Sequence, residues 1–224
     1  MPLALVTGAS SGIGKAITLR LLTQGWSVIG LSRQILKLEN ENFRSVSVDL
    51  MDTDNLRQTL VNLDTPNAIV HAAGIMAAAP LGTLDSEVSK NLWTLHIHAP
   101  EIIANYFVPR MDDNSRLVMI GSRTSRGAAN RSQYVATKAA MVGMVRSWAK
   151  ELAPRGITAN IVAPGATETP MLTQRGREAS KPIVPPIGRL IQPEEVAALV
   201  SFLLQPEAGA ITGQEIMICG GASL

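Results

Sequence analysis

Tyr134 and Lys138 stand at a spacing that supports acid/base chemistry. In Tyr134-Val135-Ala136-Thr137-Lys138 the two lie four residues apart within a long helical pattern. That spacing puts both side chains on one helix face, within mutual reach. A free tyrosine releases its proton near pH ~10. A neighbouring ammonium stabilises the phenolate, so the phenol becomes a better acid and base at neutral pH. The pair alone is a weak signal, since any long helix can carry one. Ser122 strengthens it. This serine follows the apolar run at 117–120 and precedes Tyr134 by twelve residues. It would sit at the carboxyl end of a strand, where open α/β sheets bind their ligands. Ser125 and Ser132 are nearby hydroxyls that read as a loop residue and a helix N-cap.

A second chemical signal lies near the start of the chain. The run Thr7-Gly8-Ala9-Ser10-Ser11-Gly12-Ile13-Gly14 spaces its glycines as G-x-x-x-G-x-G. Such glycines permit a tight turn and close approach of backbone to a ligand. The helix that follows aims its first amides at a pyrophosphate. A glycine triplet by itself is as often a plain turn. Here it follows the first apolar run and opens the first helical stretch, which is the context a phosphate-binding turn requires.

These groups need elements to hold them, and the chain alternates short apolar runs with longer helical stretches. Strands are expected at 3–6, 27–31, 45–48 (ending at Asp49), 68–71, 117–120, 157–163 and 215–218. Helices are expected at 14–24, 54–63, 86–111, 133–153 and 193–204. Pro100 implies a bend or local break inside the third of these. Glu194 and Glu195 fall in the first turn of the last, where they suit the helix dipole. Continuously apolar strands joined by helices predict an α/β fold: one doubly wound, Rossmann-type parallel sheet of about seven strands, covered on both faces. A single domain over 1–224 is expected, with no linker, repeat or low-complexity segment. The stretch 167–191 carries four prolines and is too long for an ordinary connection, so it reads as a functional loop or lid.

Composition agrees with a globular chain. Of 224 residues 46% are apolar, and mean hydropathy is +0.17, so a large core is available and disorder is not expected. Net charge is +2, from 20 basic and 18 acidic residues. That balance points to no nucleic-acid or anionic-membrane partner. The one cysteine, Cys219, excludes a disulfide framework or cysteine metal cluster within one chain and reads as a small core residue. No metal site is expected. No basic segment precedes a signal-type apolar run, and no apolar run reaches the ~18–20 residues that span a bilayer. The expectation is a soluble, cytoplasmic protein.

The glycine turn, Tyr134-x-x-x-Lys138 and Ser122 together resemble the short-chain dehydrogenase/reductase family, and the likeness runs from Leu3 to Gly221. The resemblance implies a nicotinamide cofactor on Gly8, Ser10, Ser11, Gly12, Ile13 and Gly14. The second strand ends Ser32-Arg33 where an acidic residue would hold both ribose hydroxyls. A hydroxyl and a guanidinium suit a 2′-phosphate instead, so NADP(H) is expected over NAD(H). Asp49 resembles the family aspartate that meets the adenine amino group, with Leu50 alongside. His71-Ala72-Ala73-Gly74 stands where the family commonly shows Asn-Asn-Ala-Gly. Ala72, Ala73 and Gly74 keep the close approach to the cofactor ribose, and His71 reads as a structural histidine. Pro164-Gly165 resembles the family's Pro-Gly segment, after which Thr167 and Thr169 would meet the nicotinamide carboxamide or a phosphate. The lid would then carry Met171, Leu172, Arg175 and Arg177.

The resemblance implies hydride transfer between the nicotinamide and a small carbonyl/alcohol pair. Tyr134 is the acid/base, Ser122 holds the substrate oxygen, and Lys138 supports the tyrosine and bonds the nicotinamide ribose. The family's fourth catalytic member is an asparagine in the helix after strand four. Asn91-Leu92 matches it locally, but the segment from His96 to Met111 matches over a longer stretch and puts His96 in that place. There His96 would bond a water or a carbonyl and add a titration near neutral pH, or it is an ordinary structural residue. Both readings stand. A homodimer or homotetramer is implied, as is general for soluble enzymes. Two other readings share the fold: a non-catalytic NADP-binding sensor or scaffold, and an isomerase or epimerase, whose longer substrate region this chain lacks.

Overall fold

The strand β1 (Leu3–Thr7) is apolar on both sides of its pleat because both sides are covered. Leu5 enters one core with Ile29, Phe107, Met141 and Val145. Ala4 and Val6 enter the other with Ile17, Leu21, Val196 and Val200. The computed structural model describes residues 1–173 and 183–224. Arg175 and Arg177 of the expected lid lie outside the described residues.

The sheet has seven parallel strands in the order β3-β2-β1-β4-β5-β6-β7. Its other strands are β2 (Ser27–Ser32), β3 (Phe43–Ser47), β4 (Ala68–His71), β5 (Arg116–Ile120), β6 (Thr158–Pro164) and β7 (Glu215–Ile218). The helices are α1 (Gly12–Thr23), α2 (Thr53–Leu60), α3 (Ser86–Trp93), α4 (Ala99–Phe107), α5 (Ser132–Leu152) and α6 (Pro193–Leu203). Here α1 and α6 pack together on one face, while α2, α4 and α5 cover the other. The chain order changes direction beside β1, and the carboxyl ends of β1, β4, β5 and β6 gather there, as open α/β sheets require of a ligand crevice. No helix among the described residues is long and apolar enough to cross a membrane.

Three expectations shift. The third strand is Phe43–Ser47, earlier than 45–48, because Phe43 pairs with Val28 and its ring packs against Gly30. Ser132 opens α5 rather than capping it; Arg131 stands at the N-cap. The helical stretch 86–111 is interrupted at Thr94–His98, a π-helical turn just before Pro100. Proline disturbs the carbonyls that precede it, so the break lies upstream of the residue that signals it. The ends of the expected lid are held: Thr167 bridges Ile191, and Ile191 N–H donates to Ala166 O at 3.0 Å.

Phe107, fully buried, is among the largest side chains under the sheet. Phe107→Ala is expected to cost about 3–5 kcal/mol, read as a lower denaturant midpoint at unchanged slope. A cost below about 1 kcal/mol would contradict this packing.

Candidate active site

The glycine turn sits directly on the end of β4. Gly8 has φ +68°, and a Cβ there would stand 2.9 Å from the Ala73 backbone. A Cβ at Gly14 would stand 2.2 Å from the Gly8 carbonyl oxygen. Only glycine lets the turn close and the first turn of α1 approach it. Ser11 is the N-cap but makes no side-chain capping bond, and the first turn holds no acidic residue. Its orphan amides and positive dipole end are therefore directed at a ligand anion. This cradle fits a dinucleotide pyrophosphate. Ile13, Ala72, Ala73, Gly74, Pro164, Gly165, Thr167 and Thr169 all line the adjoining cleft.

The outer cofactor residues fall less evenly. Arg33 is exposed at the end of β2, and its backbone is held by Ser47 Oγ–H donating to Arg33 O at 3.0 Å. Ser32 is buried, and its hydroxyl donates to Gln34 O at 2.7 Å. Asp49 accepts the Met51 amide at 3.0 Å. Leu50 has its side chain in the core, so only its backbone faces outward. Thr167 Oγ–H donates to Gly165 O at 3.1 Å. Gly165 packs on Cys219, where a Cβ would meet the Cys219 Cα at 2.9 Å. Cys219 is a buried core residue, as its position implied.

Ser122, Tyr134, Lys138 and His96 line one cleft of about 150 Å³. Asn91, the competing match, is exposed on α3. Lys138 is buried, and its Nζ donates to Ile120 O at 2.8 Å. Burial pushes its pKa down to about 7. Nζ lies 5.9 Å from the Tyr134 ring centroid, and the His96 and Tyr134 rings meet nearly at right angles, 5.7 Å between centroids. Ser122 Oγ accepts the Thr124 amide at 3.2 Å and is hydrogen-bonded to Thr124 Oγ1 at 2.8 Å.

Two buried histidines organise this cleft. Thr7 Oγ1 accepts both the Ala72 and Ala73 amides at 3.1 Å, so its proton goes to His71 Nδ1 at 3.0 Å. His71 Nε2–H then donates to Leu95 O at 3.1 Å. Leu95 O needs that donor. Ala99 N–H bonds Thr94 O across the π turn, and in the same register Leu95 O would pair with Pro100, which has no N–H. His96 Nε2 accepts the Ile75 amide at 3.2 Å, so its Nδ1–H donates to Thr137 Oγ1 at 2.8 Å. Thr137 Oγ–H passes on to the Tyr134 carbonyl at 2.9 Å. Burial, then the charge of Lys138, lowers the pKa of His71 to about 3 and that of His96 well below 6.5. The expected extra titration near neutral pH does not arise: His96 is neutral in the fold, with both ring nitrogens engaged. Through Thr137 it is linked to the Tyr134 backbone carbonyl.

Sequence reading missed Thr7 and Thr137, whose partners lie 64 and 41 residues away. It also missed Arg123 and Arg131, which line the cleft. Their signal was available: Arg123 follows Ser122, and Arg131 precedes Tyr134 by three residues.

The family model described as enoyl-(acyl carrier protein) reductase matches residues 8–223. The chain is 33% identical to a 3-oxoacyl-[acyl-carrier-protein] reductase FabG of Vibrio harveyi, over 98% of this chain and 96% of that one. A short chain dehydrogenase family protein from Francisella tularensis superposes with TM-score 0.90 at 26% identity, covering 100% and 99% of the two chains. A blue fluorescent protein from a metagenomic library, in complex with NADPH, does so with TM-score 0.86 at 29% identity, covering 100% and 98%.

The histidines also set a pH dependence of stability. Between 6.5 and about 3 the unfolded chain binds a proton that folded His71 refuses. Stability therefore falls on acidification through that window, by about 1.4 kcal/mol per pH unit for each such histidine. Lys138 adds a slope of the same sign between about 7 and 10.5. His71→Asn is expected to flatten the acid-side slope by about 1.4 kcal/mol per pH unit in denaturant melts below pH ~6. An unchanged slope would sink the assignment.

Proposed function

The chain belongs to the short-chain dehydrogenase/reductase family of oxidoreductases acting on CH–OH and C=O groups with NAD(P), and from that premise we propose that it is an NADP(H)-dependent enzyme on a small carbonyl/alcohol pair. The observation that carries this is the convergence of Ser122, Tyr134 and Lys138 on one cleft beside the glycine turn.

When bound, the nicotinamide supplies or receives the hydride. The chain's residues handle the oxygen and the proton. Ser122 Oγ orients the substrate oxygen, and Tyr134 donates its proton there as negative charge grows on that atom. Lys138 stands behind the ring, where an ammonium favours the phenolate that donation leaves. Oxidation of the alcohol runs the same path in reverse. His96, through Thr137, fixes the Tyr134 backbone, in the place the family gives to an asparagine. A satisfied His96 speaks for an active enzyme rather than a sensor or scaffold.

Arg33 carries the cofactor preference. It stands exposed beyond β2 with no acidic residue at the strand end, which suits a 2′-phosphate. One catalytic domain with its lid at 167–191, a cytoplasmic location and a homodimer or homotetramer complete the reading. The partly exposed apolar residues Ile102, Tyr106, Trp148 and Leu152 on α4 and α5 support self-association.

Tyr134→Phe is expected to lower kcat by about 10²–10⁴-fold in a carbonyl screen that follows NADPH absorbance, with NADP(H) affinity near wild type. Retained turnover would refute the acid/base assignment. Arg33→Ala is expected to lower kcat/KM for NADPH by about tenfold or more and leave that for NADH little changed. A wild-type kcat/KM higher with NADH than with NADPH would overturn the cofactor preference.

A further inference from the structure

A second cavity, of about 780 Å³, lies at the amino ends of the parallel strands, away from the catalytic cleft. Its wall includes Asn67 just before β4, Arg116 at the start of β5, Arg20 and Gln24 at the end of α1, and Phe202 near the end of α6. Hydride transfer gives none of these a task.

Arg116 is the residue that needs an explanation. It opens a central strand and is only 6% exposed. Buried arginines are ordinarily paired, since a buried charge without a counter-charge is costly. Arg116 has no ion pair among the described residues. Its Nη1 donates to Asn114 O at 2.6 Å, Ser115 O at 3.1 Å and Gly156 O at 3.3 Å. These neutral carbonyls occupy one end of the guanidinium. The edge formed by Nε and Nη2 meets no acceptor among the described residues, and Nε is buried there without a partner. Burial lowers the pKa of this arginine, as it does for a cation without a counter-charge.

Two side-by-side N–H donors on a guanidinium match the oxygens of a carboxylate or phosphate. The cavity supplies the rest of an anion site. Arg20 adds a second, exposed cation that makes no ion pair among the described residues. Ser201 Oγ–H donates to Gln24 Oε1 at 2.6 Å, which leaves the Gln24 amide NH2 as its free end. Among the described residues the wall holds no carboxylate. Asp112, which accepts from Asn67 Nδ2 at 3.5 Å, lies outside it. Trp26 and Phe202 give the wall an aromatic side. The volume falls within the ~300–1,000 Å³ of small-molecule sites.

We propose that this cavity binds a small organic anion, its carboxylate or phosphate held by Arg116 and Arg20 and its apolar body by Trp26 and Phe202. The site is separate from the cleft, so it stands or falls independently of the hydride-transfer reading.

The side-chain Nε–H resonance of Arg116, assigned by its loss in Arg116→Lys, reports the site in the whole chain. Four probes are titrated: benzoate, phenyl phosphate, inorganic phosphate and the neutral benzyl alcohol. Benzoate or phenyl phosphate is expected to shift the resonance saturably, about tenfold tighter than inorganic phosphate because of the aromatic wall. Whichever of the two binds more tightly identifies the anionic group. Arg20→Gln, a surface change, keeps the test open if Arg116→Lys does not fold. In calorimetry with NADP⁺ present to occupy the glycine turn, it should weaken the tighter aromatic anion by about tenfold. Arg57→Gln removes the same charge from an exposed residue outside this wall and should leave the affinity as it was. The proposal is overturned if neither aromatic anion binds, if benzyl alcohol or inorganic phosphate binds as tightly as they do, or if Arg57→Gln weakens binding as much as Arg20→Gln.

Discussion

One backbone carbonyl constrains the centre of this molecule. Leu95 lies in the π turn Thr94–His98, and the residue that would donate to it in that register is Pro100. A buried carbonyl without a donor is costly. His71 supplies the donor from the end of β4. Its other nitrogen can then only accept, and Thr7 at the end of β1 gives the proton. The Thr7 oxygen in turn collects the amides of Ala72 and Ala73, on which the glycine turn rests. A proline in one helix thereby fixes a histidine tautomer, a threonine rotamer and the floor of the nucleotide site. The same π turn swings His96 inward to hold Ile75 and, through Thr137, the carbonyl of Tyr134.

The electrostatics follow from this hydrogen-bond logic. Three basic nitrogen groups share a buried region: His71, His96 and Lys138. Desolvation disfavours charge on each, and the charge of Lys138 disfavours protonation of both histidines. The imidazoles are also committed as one donor and one acceptor each, a pattern that only the neutral form fits. Whatever positive charge the region holds is therefore placed on Lys138, next to Tyr134, where it favours a phenolate. Two further cations at neutral pH would compete with that placement.

The parts of this design legible in the sequence are those whose geometry is local. The spacing of Tyr134 and Lys138, the glycine pattern before α1 and Ser122 after β5 can each be read within a dozen residues, and the structure brings them to one cleft. The seven-strand parallel sheet was legible for the same reason, from the alternation of apolar runs and helices. The third strand began earlier than read, since Phe43 is fixed by Gly30 on the neighbouring strand. The network behind the catalytic face was not legible, because its two histidines meet their partners across separations of 21 to 64 residues. Pro100 announced a break but not its form. The π register appears only when His71 is seen to fill the carbonyl that the proline leaves.

His96 shows what a change of residue type does at one such position. An asparagine amide brings two donors and an acceptor, and it can hold a backbone group while sparing a donor for a water. A neutral imidazole brings one donor and one acceptor, and here Thr137 and Ile75 use both. The ring is also bulky: a Cβ on Gly74 would come within 3.2 Å of His96 Nε2, so a small residue is needed beside it. In the proposed reading His96 keeps the positioning work of the amide, and neither ring nitrogen is left to pass a proton. The Lys138 ammonium itself donates to the Ile120 carbonyl at 2.8 Å. A side-chain relay through position 96 is closed by the same two hydrogen bonds that hold Tyr134 in place.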